Sequence, residues 1–111
     1  MSVTTHVLDT SRGRPAAGVE VELEKWEGEG WRRVGRAPTD ADGRASGLLG
    51  EAELEAVVYR LRFALGDYFR DRGVESFHPE VVVVFQVRDP GQHHHVPLLV
   101  SPFGYTTYRG S

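Results

Sequence analysis

QHHHVPLLVSPFGYTTYRGS, residues 92–111, joins three consecutive histidines to an apolar run, a Ser-Pro turn and a polar ending. Side chains alternate between faces in an extended chain, so His93 and His95 point one way and His94 the other. Leu98, Leu99 and Val100 continue that strand. Ser101, Pro102, Phe103 and Gly104 then have the Pro and Gly content of a tight reversal. Residues 105–109 return, with Thr and Tyr favouring β structure. Chain ends usually fray unless something ties them down. This one brings together an aromatic hydroxyl, a guanidinium, a glycine and a serine, which is the composition of a tail used in a site.

Working outward, the rest of the chain reads the same way. Residues 3–10 alternate, placing Val3, Thr5 and Val7 on one face and Thr4, His6 and Leu8 on the other. Residues 18–25 form the cleanest strand, with Val19, Val21 and Leu23 inward and Glu20, Glu22 and Glu24 outward. Residues 27–30 predict a hairpin whose flanking Trp26 and Trp31 meet across the turn. A turn cluster at 38–43 leads directly to Arg44. Residues 51–69 fit both a helical and an alternating pattern. Gly66 and Asp67 break a long helix, so the reading is a strand followed by one short helix at 68–72, closed by Gly73. Residues 81–85, an unbroken apolar run, predict a strand covered on both sides, hence a subunit contact. The sum is about seven or eight short strands with the turn spacing of an all-β sandwich.

At 111 residues the chain is expected to be one domain, 1–111. A net charge of -3 argues against a general nucleic-acid or anionic-membrane binder, and the basic residues are scattered arginines apart from Lys25. With no cysteine, disulfides, thiol catalysis and Cys-based zinc sites are excluded. No apolar run has membrane-spanning length, and residues 1–10 have no secretory pattern, so the expected compartment is the cytoplasm.

The candidate chemistry lies in imidazoles and guanidiniums. His93 and His95 on one strand face could offer two ligands to zinc, with His6, His78 or a carboxylate as a third. The plainer reading is surface histidines at a strand entrance. A third is catalytic, because neutral imidazole can act as a general base near physiological pH. A lone strand histidine such as His6 is ordinarily a hydrogen-bonded core or rim residue, and Arg44 and Arg109 taken singly are ordinary turn and surface charges. Gly-x-Ser-x-Gly is absent, and the glycines at 27–30 lack the Lys and helix of a phosphate loop.

Several segments together resemble the transthyretin-like family. They are TTHVLD at 4–9, GRPA at 13–16, TDADGR at 39–44, YRLRF at 59–63, Tyr68-Phe69, FHPEV at 77–81 and HHHVPLLVSPFGY at 93–105. The YRGS tail at 108–111 is the most specific part, resembling the branch that hydrolyses 5-hydroxyisourate rather than the hormone-carrier branch. His94 departs from the pattern, where an aromatic such as Tyr is frequent. The resemblance implies a two-sheet antiparallel β-sandwich of about eight strands with one short helix. It also implies a homotetramer, a dimer of dimers, with sites in a channel at the dimer–dimer junction.

Carried over by position, the resemblance implies His6, Arg44, His95 and Ser111 as catalytic residues. Tyr108, Arg109 and Gly110 join His6, Arg44 and Ser111 in holding the substrate. The implied reaction is hydrolytic opening of a cyclic amide, with His95 or His6 as base, Arg44 on the carbonyl or oxyanion, and neither metal nor organic cofactor. The alternatives from other classes are a carrier of a small aromatic ligand, a zinc-dependent hydrolase using His93, His95 and His6, and a purely structural β-sandwich module.

Overall fold

Alternating burial drives the chain into two packed sheets. The computed structural model describes residues 2–111. In chain order the elements are β1 (Ser2–Asp9), β2 (Arg14–Pro15), β3 (Glu20–Trp26), β4 (Trp31–Pro38), β5 (Arg44–Ala45), β6 (Val58–Phe63), α1 (Leu65–Arg70), β7 (Val81–Gln86), β8 (His93–Ser101) and β9 (Gly104–Thr107). One sheet has the order β2-β1-β8-β9, with β5 also on β1; the other has β4-β3-β6-β7. Val3, Val7, Val21, Leu23, Leu61, Phe63 and Leu98 fill the space between them. The sandwich with one short helix agrees with the reading from sequence. One pair differs in sense: β1 and β8 run parallel, with Thr4 beside His95 and His6 beside Pro97. The first strand and the histidine strand are therefore direct neighbours.

The alternation on β1 is as expected, with Val3, Thr5 and Val7 buried and Thr4, His6 and Leu8 half-exposed. Trp26 and Trp31 meet across their hairpin with ring centroids 5.3 Å apart. Two expectations need correction, and a third, on the strand at 81–85, is untested by a single protomer. Glu24 points to the outer face but is covered there, because Arg60 Nε donates to it at 2.5 Å and Arg62 lies 3.8 Å away. The helix begins three residues earlier than expected: the Gly66 amide donates to the Pro79 carbonyl at 2.8 Å, and Leu65, Tyr68 and Phe69 turn one apolar face inward. The run at 81–85 is covered on one side only within the protomer. Val81 and Val83 are buried, whereas Val84 is 59% exposed on a strand that ends its sheet.

Asp9 ends β1 in the interior, 1% exposed. Its carboxylate accepts from Tyr68 Oη at 2.8 Å and from the Ser11 hydroxyl and amide at 2.6 and 3.0 Å. Removing one donor from a buried carboxylate costs about 2 kcal/mol. Tyr68→Phe is therefore expected to lower the unfolding free energy by about that amount, read as a lower urea midpoint at unchanged m-value; a midpoint equal to the parent's would show that the bond contributes nothing net.

Candidate functional site

The outer face of the β1–β8 pair collects the polar residues of three strands. β1 supplies Thr4 and His6, β8 supplies His93 and His95, and β5 pairs with β1 so that Arg44 stands opposite His6. Arg44 is delivered by a tightly knit turn. Asp40 Oδ1 accepts from the amides of Asp42 and Arg44 at 2.9 and 3.0 Å, and the Asp40 amide donates to the Arg44 carbonyl at 2.9 Å. Gly43 has φ +78°, and a Cβ there would run into the Val7 carbonyl, so only glycine fits this turn against β1.

A cavity of about 360 Å³ opens on this face, lined by Thr4, Asp40, Arg44, His93, His95 and Ser111 among others. Gly110 precedes Ser111 and is tied to His95. Its amide donates to the His95 carbonyl at 2.8 Å, in a one-residue bridge between the tail and β8. A Cβ on Gly110 would lie 2.5 Å from His95 Cδ2, so the glycine backbone lies directly against the imidazole ring.

The two candidate bases are held differently. His6 Nε2–H donates to the Asp42 carbonyl at 2.8 Å, which ties the ring to the Arg44 turn. His95 meets Thr4 Oγ1 through Nδ1 at 2.8 Å. Burial pushes the His95 pKa below its ordinary 6.5, and the positive charge of Arg44, then His93 and His6, act in the same direction. His95 is thus neutral over the physiological range, as a base must be. His93 stacks on His95 with centroids 6.2 Å apart and planes 14° from parallel. The two rings lie face to face rather than converging on a point, and among the described residues no three His, Asp or Glu side chains gather with metal-binding geometry.

Arg44, His95 and Ser111 thus come together at the cavity, with His6 one register step away on β1. Tyr108 and Arg109 do not line that cavity. They line a second hollow of about 320 Å³ with Val83, Phe85, His94, His95 and Val96, on the β7 side of the sandwich, so that His95 borders both. Arg109 Nη2 donates there to Gln92 Oε1 at 3.2 Å and to the His93 carbonyl at 3.4 Å. His94, 4% exposed, faces the interior and donates from Nδ1 to the Gln92 carbonyl at 3.0 Å. Burial lowers its pKa too, against that hydrogen bond and with Arg109 adding to the effect. Thr4 is the site residue that sequence reasoning passed over. Its place on the His6 face was visible in the alternation, but its meeting with His93 and His95 depends on a parallel pairing that local pattern does not encode.

Comparison with known proteins follows this geometry. The sequence model of the HIUase/transthyretin family matches residues 3–110. A 5-hydroxyisourate hydrolase of Caulobacter vibrioides is 49% identical, over 98% of this chain and 97% of that protein. The solved 5-hydroxyisourate hydrolase of Klebsiella pneumoniae superposes with a TM-score of 0.85 at 38% identity, covering 100% of both chains. Transthyretin from Sparus aurata superposes with a TM-score of 0.92 at 32% identity, over 98% of this chain and 96% of that one.

Proposed function

The chain belongs to the HIUase/transthyretin family, and from that membership we propose that it is a 5-hydroxyisourate hydrolase. It opens the six-membered ring of 5-hydroxyisourate to 2-oxo-4-hydroxy-4-carboxy-5-ureidoimidazoline, a step of urate breakdown. The observation that carries this reading is the polarity of the cavity, where Arg44, His93, His95, Thr4 and Ser111 stand around a space fit for a small hydrogen-bonding ring. A carrier of an apolar aromatic ligand needs an apolar lining.

The chemistry follows from the placement of these groups. Neutral His95 takes a proton from water as the oxygen attacks the ring carbonyl. Arg44 stabilises the oxyanion as the carbonyl π pair moves onto oxygen. When the tetrahedral centre collapses, the C–N bond breaks and the imidazolium returns its proton to the departing nitrogen. His6, anchored through Nε2, orients the Arg44 turn and the substrate. Ser111 and the Gly110 backbone border the substrate space.

The same reading includes a homotetramer, a dimer of dimers, with the β1–β8 faces opposed across a shared channel. It is supported by sheets that end in the open strands β7 and β9 and by apolar side chains left bare near them, Phe77 at 71% and Val84 at 59% exposure. In such an assembly Tyr108 and Arg109, turned from their own cavity, act where protomers meet. A cytoplasmic location belongs to the proposal as well; among the described residues no helix is long and apolar enough to cross a membrane.

The test is direct. Urate oxidase acting on urate generates 5-hydroxyisourate, and its ultraviolet decay is followed with and without this protein. Catalysed decay that survives exhaustive chelation is expected. Decay at the spontaneous rate would refute the assignment, and loss on chelation would favour a zinc hydrolase.

A further inference from the structure

Three hydroxyl and imidazole contacts on the outer face of β1 and β8 form one continuous chain. Thr4 Oγ1 lies 2.8 Å from His95 Nδ1 and 3.0 Å from His93 Nε2, and the Ser2 hydroxyl meets His93 Nδ1. A hydroxyl has one hydrogen to give and lone pairs to receive with. Thr4 can therefore accept from one ring while donating to the other, and the direction along the whole chain is set at once. We propose that Thr4 is the positioning residue of the hydrolytic base. It accepts the Nδ1–H of His95 and gives its own hydrogen to His93 Nε2, leaving the electron pair of His95 on Nε2 for the attacking water.

The parallel register places Thr4 beside His95, and Ser2 beside His93, so the backbone ladder itself holds the chain in line. The charged and titratable groups around His95 favour this polarity. Arg44 from β5 exerts the largest electrostatic effect on His95, followed by His93 from β8 and His6 from β1, and Asp40 lines the same cavity. A guanidinium facing an imidazole is better met by a lone pair than by an N–H. His6 provides the contrast, since its Nε2 already carries a hydrogen toward Asp42.

The proton that Nε2 of His95 takes from water stays on the ring until it passes to the departing nitrogen, while the Nδ1–H remains with Thr4 throughout, so one orientation of the ring serves both transfers. His93 lies exposed at the outer end of the chain. The inference rests on the hydrolase reading for its catalytic meaning, but the tautomer it assigns is a property of the protein alone.

The experiment therefore has two readouts on Thr4→Val, which keeps the β-branched shape, and on Thr4→Ser, which restores a hydroxyl. In histidine ¹⁵N spectra of the parent protein above pH 7, His95 is expected as the Nδ1–H tautomer, and Thr4→Val is expected to shift it toward Nε2–H. In turnover, Thr4→Val is expected to lower kcat about 10–100-fold at nearly constant KM, the order of loss that follows when an imidazole base is no longer held in its working tautomer. Thr4→Ser should recover most of it and keep the acidic limb of the pH profile. An Nε2–H tautomer in the parent, or a Thr4→Val variant with parental kcat and pH profile, overturns the proposal. A parent with the assigned tautomer but no turnover sinks the hydrolase reading and leaves the positioning of His95 standing.

Discussion

Asparagine at position 95 is expected to leave a folded protein whose kcat is about three orders of magnitude below the parent's, the scale of a positioned general base. The side chain keeps hydrogen-bonding capacity toward Thr4, so the packing under Gly110 survives while the proton acceptor is lost. The pH dependence carries the sharper signature. An imidazole works as a base only when neutral, so kcat/KM of the parent falls as pH drops through the His95 pKa. Burial and Arg44 place that pKa below 6.5, so activity persists to a lower pH than a free histidine would allow. The variant should lack this limb. His6→Ala, by contrast, should keep the limb while losing rate through a slackened Arg44 turn, since His6 anchors to Asp42 through the nitrogen already carrying its proton. Turnover measured on enzymatically generated 5-hydroxyisourate, with circular dichroism to confirm folding, decides the matter. A His95→Asn protein with full activity and the parental profile would remove His95 from the mechanism.

Deleting residues 108–111 is expected to abolish turnover while the sandwich stays folded. The tail contributes little to the core: Tyr108 is 58% exposed, and the last strand ends at Thr107. Its contribution is local. The Gly110 amide holds the His95 carbonyl, its backbone lies against the imidazole, and Ser111 forms one side of the cavity. Without them the base faces open water, its hydration shell returns, and electrostatic stabilisation by Arg44 weakens in the higher dielectric. Gly110→Ala tests the same contact by one methyl group, since the added carbon must displace the ring it meets at 2.5 Å. Near-normal rates from the truncated protein would show that the tail is ornamental to catalysis. A large loss of melting temperature would show instead that it is structural.

The two-sheet fold was legible where a strand has one wet and one dry face. The alternation over residues 3–9 put Thr4 and His6 on the outer side before any coordinates, and Trp26 and Trp31 announced their hairpin. The pattern was less informative where a strand lies at an edge. Residues 81–85 look identical whether a second protomer or water covers Val82 and Val84. Glu24 shows a related limit: its outward direction was readable, but its burial depends on Arg60 and Arg62 arriving from another strand. In the site, the resemblance supplied His6, Arg44, His95 and Ser111 as a set; the last three share one cavity, and His6 lies outside its lining. It did not reveal that the tail divides, with Arg109 turning toward Gln92 while Ser111 turns toward Arg44. That division follows from backbone direction after Thr107, which composition does not encode.

The parallel seam between β1 and β8 has a cost in time. Thr4 and His95, which touch in the finished molecule, are separated by 91 positions along the chain. Antiparallel neighbours such as β3 and β4 can zip from their own short loop, whereas this seam must wait for a long loop to close. During synthesis β1 emerges well before β8 and holds only the short strands β2 and β5 until β8 has left the ribosome, with one edge open to mispairing. The cavity that Thr4 and His95 share thus takes shape only after β8 has joined β1.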